Sequence, residues 1–306
     1  MEKKITIGRT GIESLPLALG VMRMAGVSQA QADRVVMQAV DSGITLFDNA
    51  DIYGGGRSEE MFGEVLKAHP GLREQILVQS KCGICQGYYD ASREHILESV
   101  DGILRRLQLE QLDFLLLHRP DALMEPEEVA EAFTCLQASG KVRFFGVSNE
   151  NSAQMELLSR YCPMPLMINQ LQFGPAHTGM LDAGINVNVH SDHAVNRDGL
   201  ILDYCRLHDV TIQAWSPFMY GMFEGVFLGS EKYAKLNETL ERMAAEKGVS
   251  PSTLAVAWIL RHPAGIQVLL GTMNEAHLKE ACGALNVCLD RREWYEIYLS
   301  AGNPLP

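Results

Sequence analysis

Residues 46–60 read LFDNADIYGGGRSEE and contain the change from a buried strand to a helix. The apolar residues before Asp48 predict a strand, and the three glycines after Tyr53 predict a turn. Ser58, followed by two glutamates, predicts the N-terminal cap of the next helix. A carboxylate and a phenol therefore leave the end of one strand together. In an α/β fold, catalytic residues usually lie at that end of the strands.

Length, composition and charge predict a globular protein with neither a nucleic-acid nor a membrane partner. The chain has 306 residues, of which 47% are apolar and 21% charged, and this length allows one α/β barrel or two smaller domains. A formal net charge of -12 disfavours binding to nucleic acid or to an anionic membrane. The N-terminus has no apolar signal core, and no apolar run reaches the roughly 18 residues of a membrane helix. We therefore expect a cytoplasmic location.

Strand and helix signals alternate along the chain. Ile5 and Ile12 lie on either side of a segment bounded by Gly8 and Gly11, which predicts a short hairpin ahead of the main body. Strands are predicted at 15–20, 44–47, 76–80, 112–117, 142–147, 167–172, 211–214 and 266–270. Helices are predicted at 28–42, 58–69, 92–107, 126–139, 152–161, 200–208, 250–261 and 291–299, with a further Ala-, Glu- and Lys-rich helix before Ser250. Residues 173–197 and the segment after Trp215 are expected to be long loops.

Eight strand–helix units without a linker predict one domain over residues 1–306. Strands that are apolar throughout indicate a parallel sheet covered on its faces, and eight of them match a (β/α)8 TIM barrel, here with an N-terminal hairpin and an extra C-terminal helix. A doubly wound sheet is the alternative. It requires a GxGxxG turn after the first strand, and the residues from Leu19 to Met22 do not supply one.

Polar residues and one tryptophan end or follow the predicted strands, and in a barrel all of them face one pocket at its C-terminal mouth. They are Asp48, Lys81, His118, Asn149, Gln170 and Trp215. Each has a structural explanation when it is considered alone: an aspartate in a turn, a solvated lysine, a histidine satisfied in the core. Their placement in order at successive strand ends favours a functional site.

Four of the residues in this region form a chemically coherent set. A phenol such as Tyr53 is a poor acid near neutral pH. We expect a buried Lys81 to lower the pKa of that phenol, and we expect Asp48 to keep the lysine charged. His118 could hydrogen-bond a substrate oxygen. Such a set can protonate an oxygen that becomes an alkoxide when a hydride reaches a carbonyl carbon.

With these motifs, the chain resembles the aldo-keto reductase family over essentially its whole length. The resemblance rests on GITLFDNADIYGGGRSEE, the lysine of VQSKCG, LDFLLLHRP, GKVRFFGVSN, INQLQF and AWSP. It implies a (β/α)8 barrel that binds NADP(H) and reduces aldehydes or ketones. It also implies that Asp48, Tyr53, Lys81 and His118 are the catalytic residues, with Tyr53 as the general acid.

The resemblance further implies the cofactor contacts. Ser148, Asn149 and Gln170 would hold the nicotinamide carboxamide, and Trp215 would stack on the ring. The remaining implied contacts are Met22, Arg23, Ser216, Pro217, Phe218, Gly221, Gly271, Thr272, Met273, Asn274 and His277. Relatives often have an arginine at the position of His277 to bind the 2′-phosphate, so NAD(H) stays open as an alternative cofactor.

The resemblance also leaves two readings of the function. The leading one is an NADP-dependent carbonyl reductase that acts on a small-molecule carbonyl substrate, as a monomer or a weak homo-oligomer. The alternative is a cofactor-binding regulatory subunit of the same fold with little turnover. The physiological substrate and the direction of the reaction are not encoded in these motifs.

Metal binding is the less favoured reading of two other groups of residues. Cys82 begins a C-x-x-C pair, but no second pair follows, so a zinc ribbon is disfavoured and reduced thiols are expected. The segment 173–197 contains His190, Asp192 and His193, which could form a metal site. We prefer a substrate-facing loop held by side-chain hydrogen bonds, and we predict no metal.

Overall fold

Eight parallel strands close into a barrel in the computed structural model, which describes residues 4–187, 192–195 and 199–304. The strands are β1 (Ile5–Thr6), β2 (Glu13–Ser14), β3 (Leu17–Gly20), β4 (Leu46–Asp48), β5 (Leu77–Cys82), β6 (Leu112–Leu117), β7 (Val142–Ser148), β8 (Leu166–Gln172), β9 (Thr211–Trp215), β10 (Met219–Tyr220), β11 (Gly225–Val226) and β12 (Gln267–Leu270). The helices are α1 (Gln29–Asp41), α2 (Arg57–Ala68), α3 (Arg93–Leu107), α4 (Pro126–Ala138), α5 (Ser152–Tyr161), α6 (Gly179–Ile185), α7 (Ile201–Leu207), α8 (Ala234–Lys247), α9 (Pro251–Leu260), α10 (Glu275–Cys282) and α11 (Arg291–Ser300).

The barrel runs from β3 to β9 in chain order and closes through β12, which pairs with both β9 and β3. The predicted (β/α)8 barrel is therefore confirmed, and the doubly wound alternative is wrong because the sheet has no open edge. The predicted hairpin is also present, since β1 pairs antiparallel with β2. Beyond β12 the chain continues through α10 to the extra helix α11.

Side chains alternate between the inside of the barrel and the layer under the helices, as the strand period of two requires. Ala18, Leu46 and Phe114 pack inside the barrel, together with Ile7 from the hairpin. The residues between them on each strand face the helices. Because Ile7 is fully buried in the interior cluster, the hairpin contributes to the core of the barrel.

Local signals set several helix starts, and one of the predictions is wrong. Ser28 caps α1 by accepting a hydrogen bond from the backbone of Gln31, and Ser250 caps α9. Ser58 is not the cap of α2, because the cap position is Gly56 and Ser58 lies buried inside the helix. Its hydroxyl instead donates to the carbonyl of Met22 and accepts from the amide of Ala25.

Two predicted loops contain regular structure. The segment 173–197 includes α6 and a single 3₁₀ turn at Asp192–Ala194, and the segment after Trp215 includes the small β10–β11 hairpin. These elements are too short for sequence periodicity to separate them from loops. Among the described residues, none of the helices combines the length and the apolar character needed to span a membrane.

Candidate functional site

The glycine triplet after Tyr53 turns the chain from β4 into α2. Gly54, Gly55 and Gly56 all have positive φ, at 59°, 63° and 91°, a conformation that glycine adopts without strain. A Cβ atom on Gly54 would lie 2.5 Å from the Cβ atom of Ala25, so a larger residue also lacks the space. The triplet thus allows the tight turn that holds the Tyr53 ring at the C-terminal end of the barrel.

Helix α2 is anchored beside the site through a buried carboxylate. Glu59 is fully buried, and its two carboxylate oxygens accept hydrogen bonds from Arg106 Nε at 2.7 Å and from Ser80 Oγ at 2.6 Å. Ser80 immediately precedes Lys81 on β5, whereas Arg106 belongs to α3. One side chain therefore ties α2 to both neighbouring elements.

Lys81 and Asp48 form a completely buried ion pair at the base of the site. Lys81 Nζ donates to Asp48 Oδ1 at 2.6 Å and to the carbonyl of Asn49 at 2.7 Å. Nζ also lies 5.1 Å from the centroid of the Tyr53 ring. Burial alone disfavours the charge of Lys81, but Asp48 and Tyr53 outweigh it, so the pKa of Lys81 is raised. The lysine is therefore charged at neutral pH.

The expected lowering of the pKa of Tyr53 is not found. Burial removes water from the phenol and raises its pKa, and Asp48 adds to this effect. The charge of Lys81 does lower the pKa, as expected, but by less than burial raises it. Tyr53 is consequently protonated at neutral pH, which is the form a proton donor needs.

His118 lies against Tyr53, with ring centroids 5.9 Å apart and ring planes at 82°. Burial lowers the pKa of His118 well below its usual value, and the nearby charges of Lys81 and Arg119 lower it further. Its Nδ1 atom is buried and has no hydrogen-bond partner within the described residues. A neutral imidazole in this position can hydrogen-bond a ligand oxygen without adding charge.

A layer of buried glutamines lies against Asp48 inside the barrel. Gln79 Nε2 donates to Asp48 Oδ1 at 2.6 Å and to Gln213 Oε1 at 2.8 Å. Gln213 Nε2 in turn donates to the Oε1 atoms of Gln79 and Gln267. Gln170 Nε2 also donates to Asp48 Oδ1, at 3.2 Å, and to Gln213 Oε1, at 3.1 Å. Asp48 Oδ1 therefore accepts hydrogen bonds from three donors, which are Gln79, Gln170 and Lys81.

The predicted cofactor residues are linked to each other by hydrogen bonds. Ser148 Oγ donates to the carbonyl of Gln170, Asn149 Nδ2 donates to Ser148 Oγ, and Trp215 Nε1 donates to Asn149 Oδ1 at 3.2 Å. Because the Gln170 amide nitrogen is used by Asp48 and Gln213, the Oε1 atom of Gln170 remains available as an acceptor. A carboxamide, which carries N–H donors, is a chemical match for that oxygen.

These side chains surround a cavity of about 1140 Å³, large enough for an extended cofactor together with a small substrate. The predicted site residues on its wall are Met22, Arg23, Asp48, Tyr53, His118, Ser148, Asn149, Gln170, Trp215, Ser216, Pro217, Phe218, Gly271, Thr272 and His277. Four predicted residues are not on this wall: Lys81, Gly221, Met273 and Asn274. Lys81 lies buried beneath the site, and Asn274 caps α10 by accepting hydrogen bonds from the amides of Ala276 and His277.

The loop that was considered for metal binding lies partly outside the described residues. His190 is not among residues 4–187, 192–195 and 199–304, so the geometry of His190, Asp192 and His193 as a group is undetermined. Within those ranges, no three His, Cys, Asp or Glu side chains are grouped closely enough to hold a metal ion.

The sequence analysis named Gln170 but missed the other three glutamines of this layer, Gln79, Gln213 and Gln267, and it missed Arg119. A signal for the glutamines was present, because Gln79, Gln213 and Gln267 interrupt apolar strands and a buried amide needs partners. The partners themselves are far away in the chain, so only barrel closure identifies them. Arg119 directly follows His118 and lines the cavity.

Comparison with known proteins identifies the family of the chain. The model of the aldo/keto reductase family matches residues 16–298. The oxidoreductase YcsN of Bacillus subtilis, described as uncharacterized, is 37% identical over 284 residues, which cover 89% of this chain and 88% of that protein. A 6-dehydroglucose reductase of Agrobacterium fabrum is 36% identical, with 90% of each chain covered.

A solved structure agrees in fold. The crystal structure of an aldo-keto reductase from Klebsiella pneumoniae in complex with NADPH superposes with a TM-score of 0.79 at 24% identity, covering 100% of this chain and 97% of that chain. With a family match over almost the full length and close relatives of the same class, the chain belongs to the aldo/keto reductase family of oxidoreductases.

Proposed function

We propose that this oxidoreductase reduces aldehydes or ketones to alcohols with NADP(H), and that Tyr53 is the general acid. The observation that carries the proposal is the buried Lys81–Asp48 pair, with Nζ 2.6 Å from Asp48 Oδ1 and 5.1 Å from the Tyr53 ring centroid. A lysine charge without solvent access stabilises negative charge nearby far more strongly than an exposed one.

The proton chemistry follows from these side chains. When bound, NADPH supplies the hydride that reduces the carbonyl carbon. Tyr53, protonated at neutral pH, donates its proton to the substrate oxygen as negative charge develops there. Lys81 stabilises the phenolate that remains, and Asp48 keeps Lys81 charged. His118, neutral because of its burial, hydrogen-bonds the same oxygen and orients it.

The residues that would hold the cofactor fit its chemistry. Gln170 Oε1 is available for the amide of the nicotinamide, with Ser148 and Asn149 beside it. Thr272 and His277, next to the start of α10, offer donors for the 2′-phosphate. The NADPH bound by the Klebsiella protein supports this choice, and NAD(H) remains the alternative because no arginine stands at His277.

The relatives support the reaction class. The Agrobacterium protein is named a 6-dehydroglucose reductase, a name that describes reduction of an oxidised sugar. By extension, this chain would act on a small carbonyl compound, and the identity of that compound depends on the loops around the cavity.

Replacement of Tyr53 by phenylalanine tests the proposal. The Tyr53→Phe variant keeps the ring but loses the proton donor, so we expect turnover to fall by about 100-fold or more, with little change in NADPH affinity. The measurement is NADPH absorbance with a panel of aldehydes and ketones, together with cofactor titration by fluorescence. Equal turnover by the variant would disprove the role of Tyr53. If the wild-type protein binds NADPH but reduces no member of the panel, the regulatory-subunit alternative is favoured.

A further inference from the structure

Arg119 is a cavity residue that the proposed reaction does not use. It lines the cavity next to His118, and its guanidinium carbon lies 5.7 Å from the centroid of the Trp215 ring. The residue is only partly exposed. Within the described residues, its guanidinium has no carboxylate partner and no side-chain hydrogen bond.

The lack of a partner distinguishes Arg119 from other arginines that are withdrawn from water. Arg106 pairs with Glu59 at 2.7 Å, and Arg73 pairs with Asp113 at 3.0 Å. Both have side chains that are 27–28% exposed. Withdrawing a charge from water without a counter-ion is unfavourable, so an unpaired cation facing a cavity suits an anionic ligand.

The charges around Arg119 leave this part of the cavity positive. Arg119 lowers the pKa of both His118 and Tyr53, although burial has the larger effect on each. Asp48 is neutralised by Lys81. The other carboxylate on the wall, Glu280, belongs to α10, the helix that carries the predicted 2′-phosphate contact His277. No carboxylate of the described residues thus competes for the guanidinium.

We propose that Arg119 binds a carboxylate of the substrate, so that the preferred substrates are aldehydes or ketones that carry a carboxylate group. This inference rests on the proposed carbonyl reductase function. A single guanidinium matches a carboxylate by two parallel hydrogen bonds, and its carbon atom can remain over the Trp215 ring, 5.7 Å from the centroid. The apolar side chains of Ile84 and Phe223 and the ring of Tyr89 on the same wall suit the hydrocarbon part of such a substrate.

Matched pairs of acids and esters test the proposal. The probes are glyoxylate, 4-oxobutanoate and 6-oxohexanoate, each compared with its methyl ester at pH 7.5 by NADPH absorbance. For the chain length that spans Arg119 and Tyr53, we expect kcat/KM of the acid to exceed that of the ester by at least about tenfold, the range of a charged hydrogen bond. The preference should shrink as salt is added, because salt screens the charge.

Variants assign the preference to one side chain. Arg119→Met keeps the stem over Trp215 but removes the charge, so the acid-to-ester ratio should fall to about one, and Arg119→Lys should retain part of it. Arg57→Gln is the matched control, since it removes the same charge from an exposed i,i+3 pair with Glu60 outside the cavity wall, and its ratio should equal that of the wild type.

Three results overturn the proposal: a wild-type acid-to-ester ratio near one at every chain length, better turnover of a neutral hydroxyaldehyde such as glyceraldehyde, or an Arg119→Met variant that keeps the wild-type ratio. In each case a carbonyl compound is still reduced, so the carbonyl reductase function would stand. If the protein binds NADPH but reduces none of these compounds and no member of the aldehyde and ketone panel, the proposed function itself fails.

Discussion

Lys81 carries a charged side chain that is completely buried. Its side chain is fully buried and that of Asp48 is 3% exposed, so the two charges depend on each other and on the Asn49 carbonyl. Replacing such a pair by apolar residues can be neutral, whereas removing only one partner leaves an uncompensated charge. At this scale, the proposed catalysis and the stability of the fold depend on the same contact.

The Lys81→Met variant should therefore lose both properties. We expect a loss of about 3–5 kcal/mol in the free energy of unfolding, measured by urea denaturation, together with loss of turnover. Lys141→Met is the control: it breaks an exposed pair with Asp101, which should cost about 1 kcal/mol or less. Adding Asp48→Asn to Lys81→Met should restore part of the stability. Equal losses in the two lysine variants would contradict the burial argument.

Glu150 is a second buried carboxyl, positioned just after β7, and its titration should affect stability. Burial raises its pKa from the usual 4.5 to about 7, and its Oε2 atom has no partner within the described residues. Between pH 4.5 and about 7, the carboxyl group of Glu150 is protonated in the folded protein and ionised in the unfolded chain. The stability contributed by Glu150 is therefore complete below about pH 4.5 and is lost as the pH rises to about 7.

Glu150→Gln removes this titration. Relative to the wild type, the variant should gain about 2 kcal/mol in the free energy of unfolding between pH 5.5 and 8, measured by urea denaturation at each pH. Asp51, whose pKa burial also raises to about 7, contributes a slope of the same sign to both proteins and cancels in the comparison. Glu131→Gln, at a largely exposed position, should show no such change. A pH-independent difference for Glu150→Gln would refute the prediction.

Four barrel strands meet through the glutamine layer. Gln79, Gln170, Gln213 and Gln267 come from β5, β8, β9 and β12, and all of them are buried. Gln213 is central, because its Oε1 accepts from two of the others and its Nε2 donates to two. The layer links Asp48, whose carboxylate keeps Lys81 charged, to the side-chain amide of Gln170, which we propose binds the nicotinamide carboxamide.

Gln213→Leu should affect stability and cofactor binding together. It leaves amide groups of its neighbours unpaired, which should cost about 2 kcal/mol or more, and it frees the Gln170 amide to rotate, which should weaken NADPH binding. Urea denaturation and fluorescence titration measure the two effects. Gln137→Leu, at an exposed position on α4 with one bond to the Arg143 carbonyl, should change stability by about 0.5 kcal/mol or less. Unchanged NADPH affinity in Gln213→Leu would show that the layer does not orient Gln170.

At the scale of the whole molecule, the cavity is formed by loops that follow different strands of the barrel, so a ligand that fills it should stabilise the entire fold. A ligand present at 100 times its Kd and bound only to the folded state adds about 2.7 kcal/mol. For a chain of this size, that corresponds to a rise of several degrees in Tm.

Thermal unfolding with each cofactor tests the choice between NADPH and NADH. At equal concentrations, we expect NADPH to raise the Tm more than NADH does, because we propose that Thr272 and His277 bind its 2′-phosphate. His277→Gln should reduce the difference between the two cofactors while the variant without cofactor keeps the Tm of the wild type, since His277 is exposed. Equal shifts with both cofactors in the wild type would favour the NAD(H) alternative.

The sequence by itself determined the architecture and the four proposed catalytic positions. The strand and helix periods are local, so the eight strand–helix units and the N-terminal hairpin could be predicted. Asp48, Tyr53, Lys81 and His118 could be proposed because each lies at or near a strand end. The misplaced cap at Ser58 shows where local signals fail, because a preferred cap residue was instead used for contacts with a distant segment.

Only the tertiary structure decided how those residues are charged and held. The pKa of Tyr53 depends on the water that the closed barrel excludes, and this burial outweighs the nearby lysine that the sequence made visible. The partners of Gln213 lie on strands 54 and 134 residues away, and no local pattern specifies which side chains meet across a barrel. Desolvation and long-range pairing are properties of the assembled fold, so they cannot be read from any single stretch of the chain.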